Sequence, residues 1–175
     1  MASYYSVDAI LTDAQKVPCA FELDLPGLGF IDGNIKKGTQ VNLPLWLGGY
    51  LAVQKFGEPI LTTDLPPSLA PRVLNALKAN PRTVDLRALA SHFYELSARV
   101  LDLFDEDEIV DVLTMSFKAR AAEIADHATH TQGALVEASG FLRGLDEMER
   151  QLFRAAHDSS RAVKAWLGES TKKKA

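Results

Sequence analysis

Four histidines (His92, His127, His130 and His157) and the single cysteine, Cys19, are the side chains best suited to metal ligation or nucleophilic chemistry. His127 and His130 stand three apart in a helical stretch and could share a face. A protein zinc site needs three or four ligands, and only Asp126 lies near the pair in sequence, so half-buried or surface histidines are the plainer reading. His92 and Tyr94 flank Phe93, which sits on an apolar seam, and their placement suits packing and hydrogen bonding. Cys19 falls on the apolar face of an alternating stretch with no base beside it, where a thiol is inert. One cysteine also rules out an intrachain disulfide or a thiolate cluster and fits a reducing compartment. Gly27-Leu28-Gly29 lacks the third glycine and following helix of a dinucleotide fingerprint, and neither a P-loop nor a Gly-x-Ser-x-Gly elbow occurs. The carboxylates line helix faces and helix starts, and Lys172-Lys173-Lys174 reads as a solvated tail. No catalytic constellation emerges. Neither an enzyme, nor a cofactor, nor a bound metal is expected.

The elements that would have to position such groups are better marked. The chain has 175 residues, 47% of them hydrophobic, enough for one medium domain with a small appendage. A net charge of −4 with mixed signs argues against broad binding to a phosphate backbone. No apolar run approaches the roughly 20 residues of a membrane span. The start, Met1-Ala2-Ser3-Tyr4-Tyr5-Ser6, lacks the basic and apolar regions of a signal peptide. A soluble intracellular protein is expected.

Ser6 suits the N-cap of a one- or two-turn helix. Cys19, Phe21, Leu23 and Leu25 then alternate with Ala20, Glu22 and Asp24 as a strand opened by Pro18 and closed by Pro26-Gly27. Leu28–Ile31 leads into a turn at Asp32-Gly33-Asn34, and Lys36-Lys37-Gly38 turns the chain into Thr39–Leu43. A sheet this small must lean on something larger. Pro44 suits the first turn of a helix reaching about Phe56, weakened by Gly48-Gly49. Ile60–Pro67 reads as a connection. Beyond it the spacing predicts helices: Leu69–Ala79; one capped by Asp85 and running through Leu86, Leu89, Phe93, Leu96, Val100 and Leu103; and one from the acids 105–108 through Ile109, Leu113, Phe117, Ala121 and Ile124. The last long segment, Ala134–Leu167, reads as one helix whose apolar face is too wide for a single neighbour, interrupted by Glu149. The expected fold class is α+β: a small N-terminal β-rich domain (1–58), a larger all-α helical domain (59–170) and a basic tail (171–175).

Several short motifs recur in a telling order: Ser6-Val7-Asp8-Ala9-Ile10-Leu11 with Lys16-Val17-Pro18; Pro26-Gly27-Leu28-Gly29; Leu43-Pro44-Leu45-Trp46-Leu47; Val84-Asp85-Leu86 with His92-Phe93-Tyr94; and Leu145-Asp146-Glu147-Met148-Glu149-Arg150 with Leu152-Phe153. In this order the chain resembles the Psf-three-type subunits of the eukaryotic GINS complex. The resemblance implies a non-catalytic subunit of a nuclear heterotetramer with three other GINS subunits. It further implies that the tetramer joins the MCM motor and an activating factor in the CMG replicative helicase and helps link it to DNA polymerase epsilon. Direct DNA binding by this chain is not expected.

On that resemblance the Leu43–Leu47 motif, with Leu43, Leu45 and Trp46, should seat one domain against the other. The faces carrying Phe93, Tyr94 and Leu96, and Phe141, Leu145, Met148, Glu149, Leu152 and Phe153, should form core and subunit contacts. Plain core packing is the alternative for each, because obligate interfaces resemble domain cores. Glu149 is expected to mark the passage from core to an inter-subunit hydrogen bond. A self-sufficient helical adaptor holding a peptide or partner helix stands as the competing function.

Overall fold

The computed structural model describes residues 5–25, 35–56, 58–104, 106–129 and 139–172. The chain divides into two compact units, one of residues 1–70 and 95–105, the other of residues 71–94 and 106–175. Leu28–Ile31, the Asp32-Gly33-Asn34 turn, His130, Leu135 and Ala138 lie outside the described residues.

The first unit begins with α1 (Val7–Asp13), β1 (Lys16–Phe21), β2 (Gln40–Pro44) and α2 (Leu45–Val53). Two short pairing strands, β3 (Lys55–Phe56) and β4 (Glu58–Pro59), and then β5 (Leu61–Thr63) follow. The described sheet has the antiparallel order β2-β1-β5, with Cys19 opposite Val41 on one side and Thr63 on the other. Val17, Cys19 and Phe21 are buried at period two, so the expected alternation holds but its face extends back to Val17 rather than on to Leu23 and Leu25. Pro18 lies inside the strand instead of opening it. Phe21 donates its N–H to Thr39 and Glu22 donates to Ile60, so ladder parity aims the nitrogen of Pro18 toward the β5 side, just past the last pair there. Leu61–Thr63 belongs to the sheet, although the surrounding prolines suggested a connection. Gly38, at φ 85°, makes the left-handed turn before β2. A Cβ on Gly48 would sit 3.1 Å from Cys19 Sγ, so the glycine that weakens α2 also lets it lie against β1.

In the second unit, α3 (Pro71–Ala79) follows a 3₁₀ turn, and a second 3₁₀ turn at Pro81–Thr83 leads to α4 (Leu86–Leu89). Asp85 caps α4 by accepting from the Ala88 N–H at 2.9 Å. The expected helix from Leu86 to Leu103 is two helices: the chain turns extended at Ala90 and restarts as α5 (Phe93–Leu101). Residues 93–94 of α5 belong to this unit and 95–101 to the other. Next come α6 (Asp107–Thr129), α7 (Ser139–Arg143) and α8 (Glu147–Lys172). The expected single helix from Ala134 is therefore also broken, at Gly144–Asp146, for reasons given by the site below.

Candidate functional site: a buried arginine and three exposed apolar faces

The buried face of α6 runs Ile109, Leu113, Ser116, Arg120, Ile124 and Ala128, so an arginine occupies a core position. Its side chain is fully buried. A guanidinium in such a place is tolerable only if paired and hydrogen-bonded throughout. All five of its N–H donors are used. Nε donates to Glu149 Oε1 at 2.7 Å and Nη2 to Glu149 Oε2 at 2.8 Å, a bidentate pair. Nη1 donates to the carbonyls of Pro81 (2.8 Å) and Val84 (3.0 Å), and Nη2 also reaches that of Gly144 at 3.4 Å. The guanidinium carbon lies 5.0 Å from the Phe141 ring centre, a cation–π contact.

Glu149 accepts from two further donors, the Tyr94 hydroxyl (3.3 Å) and the Asp146 N–H (3.3 Å). The Asp146 carboxylate accepts from the Glu149 N–H at 2.8 Å, which makes Asp146 and Glu149 a reciprocal capping box at the start of α8. Its second oxygen accepts from the Tyr94 N–H at 3.2 Å. Burial pushes the Asp146 carboxyl up to about 6, and the two backbone N–H bonds pull the other way. Burial, with the Glu149 charge beside it, raises the Tyr94 hydroxyl well above its usual range. The Tyr94 ring meets Phe93 and Phe117 edge-on at 5.5 and 5.4 Å.

Gly144 explains the helix break. Its carbonyl accepts from the N–H groups of Leu86 and Arg87 as well as from Arg120, so it serves the opening turn of α4 instead of continuing α7. A Cβ there would stand 3.2 Å from the Asp85 Cα. Asp146 then caps a new helix. The motifs Val84-Asp85-Leu86, Phe93-Tyr94 and Leu145–Glu149, far apart in sequence, therefore converge on Arg120.

This cluster uses its donors and acceptors internally, which makes it a clamp on four chain segments rather than a reaction centre. Among the described residues, no group of three or more His, Cys, Asp or Glu side chains is placed to hold a metal. His127 pairs with Glu123 at 3.3 Å and lies against Phe141. No described helix is long and apolar enough to cross a membrane.

The exposed faces are the other feature. Trp46, Tyr50 and Val53, one turn apart along α2, are 59%, 62% and 70% exposed. Val7, Ile10 and Leu11 of α1 are exposed as well, and on α8 so are Val163, Trp166 and Leu167. Trp46 and Tyr50 edge a shallow groove of about 220 Å³ that also takes in Asp13 and Arg99, which are paired at 3.4 Å.

The residues expected to form contacts separate accordingly. Leu43, Leu45, Phe93, Leu96 and Leu145 are core residues. Tyr94, Phe141 and Glu149 surround Arg120. Phe153 is half-buried and stacks on His157, while Trp46, Met148 and Leu152 face solvent. The hydrogen bond expected between Glu149 and another subunit is supplied within the unit by Arg120. Arg120 and Gly144 were not foreseen. The usable signal was a charged residue four positions before Ile124 on an otherwise apolar stripe.

Comparison with known proteins adds a second line. The PSF3 N-terminal domain family matches residues 5–53, and the family of the GINS complex protein helical bundle domain matches residues 68–168. The chain is similar to the DNA replication complex GINS protein PSF3 of Phaeosphaeria nodorum, 60% identical over 179 residues, covering 99% of this chain and 100% of the relative. Its counterpart from Aspergillus fumigatus is 62% identical over 98% of this chain and 99% of the relative. The Saccharomyces cerevisiae protein of that name is 32% identical over 94% and 97%.

Proposed function

The chain belongs to the PSF3 family of GINS complex proteins, and from that premise we propose that it is a non-catalytic structural subunit of a nuclear heterotetrameric GINS complex. In this reading its direct partners are the three other GINS subunits. The assembled complex activates and stabilises the CMG replicative helicase, together with MCM and its activating factor, through initiation and elongation. It also helps link that helicase to DNA polymerase epsilon. The chain itself takes no direct part in binding DNA, in keeping with its net charge of −4.

The observation that carries this reading is the exposed apolar stripe Trp46–Tyr50–Val53, in a chain whose buried Arg120 has every donor satisfied by the chain itself. Large aromatic and aliphatic side chains grouped on one helix face are the usual composition of a protein interface. Trp46, Met148 and Leu152 are the proposed contact residues, and the buried members of the motifs hold them in place. Co-expression with the three companion subunits is expected to give one stoichiometric particle on sizing. A stable, well-behaved monomer that ignores those subunits would favour the self-sufficient adaptor instead.

A further inference from the structure

The second unit carries a groove of about 560 Å³ between α3 and the first half of α6. Its floor is Leu77 and Val112, both buried, and its wall includes Ala119 and Met115, the latter 72% exposed. The lining runs along α6 from Glu108 to Ala119, about 16 Å at the helical rise. That is the length of about three turns of a docked helix, and a trough between two helices is the surface into which a third one seats. Met115 is the soft, unbranched side chain that adaptable docking surfaces favour.

The rim has one sign of free charge. Lys78, the cation of the lining, is paired with Glu108, which lowers the Glu108 carboxyl below its usual range. Asp111 is exposed and carries no ion pair among the described residues. Acids in the first turn of α6 are accounted for by the helix dipole, but Asp111 lies beyond that turn. An apolar trough with an acidic lip fits an amphipathic helix with one apolar stripe and basic flanks.

We propose that this groove is a docking site for a short amphipathic helix from a partner protein, its apolar stripe seated on Leu77, Val112 and Met115 and a lysine or arginine beside Asp111. This goes beyond the scaffold role: it gives the subunit a recruitment site distinct from the contacts that assemble the complex. Particle formation tests the scaffold role and helix binding tests the groove, so the two fail separately.

The test uses the full chain in the complex in which it purifies. The probe is a labelled helical peptide with leucines at helical spacing and lysine and arginine flanks, compared with a glutamate-flanked version and a scrambled version of the same composition. The basic peptide is expected to bind, and Asp111→Lys and Met115→Glu are each expected to weaken it by about tenfold or more. Asp111→Lys should also favour the glutamate-flanked peptide. Both positions are exposed, so the substitutions leave the fold intact. Equal binding of the scrambled peptide, or indifference to both substitutions, would overturn the proposal. So would protection of Met115→Cys from alkylation before any peptide is added, since a companion subunit would then already fill the groove.

Discussion

Arg120 in the second unit and the Trp46–Tyr50–Val53 stripe in the first depart from ordinary burial in opposite directions. The arginine is a charge at a core position with every donor satisfied by its own chain. The stripe is apolar surface left in water at a helix face. A buried ion pair adds little net stability compared with an apolar replacement, but losing one partner costs heavily, so it fixes which segments meet. An exposed stripe adds nothing to the fold and is useful only when something covers it. The first region specifies the chain's own structure; the second is suited to specifying its company.

The contrast breaks most visibly at Arg120. Arg120→Ala leaves Glu149 and Asp146 buried without their cation and is expected to cost about 3–5 kcal/mol, read as lost amide protection in α6 and α8 by hydrogen exchange. Arg120→Met with Glu149→Leu removes both charges and should recover much of that protection. Gly144→Ala is next, at about 1–3 kcal/mol, because its Cβ would press on the Asp85 backbone.

Asp146 gives a pH signature. Its carboxyl is raised from 3.8 to about 6 on folding, so between those values the folded chain keeps a proton that the unfolded chain has released. That contribution is full below pH 3.8 and is lost as pH rises through 6. Asp146→Asn should therefore flatten the fall in stability between pH 4 and about 6.5 in urea unfolding, and a slope equal to that of the parent would remove Asp146 as its source. The smallest effect on folding belongs to the other region: Trp46→Ser should change stability by no more than about 0.5 kcal/mol.

Glu149 was legible from sequence as a polar break in an apolar stripe; its partner was not. Arg120 lies 29 residues away, and the stripe read through Phe117 and Ala121 sits slightly off the face that is buried. Apolar spacing stays in phase across Ala90–His92 and across Gly144–Asp146, so periodicity could not see either break. Both come from long-range bonds, Glu147 N–H to the Ser91 carbonyl in one case and the Gly144 carbonyl to α4 in the other. The cap at Asp85 and the helix start at Pro44 were legible because their signals are local. β5 was not, since three residues between prolines become a strand only through pairing with β1. Trp46 was singled out by resemblance alone; spacing did not say that it faces water.

The most direct test is to co-express the chain carrying Trp46→Asp and Tyr50→Asp with its three companion subunits. Amide protection around Arg120 in the purified variant is then compared with its ability to enter the particle. The expected result is native protection in α6 and α8 together with loss of stoichiometric assembly. Normal assembly of the double variant would contradict the assignment of this face to partners.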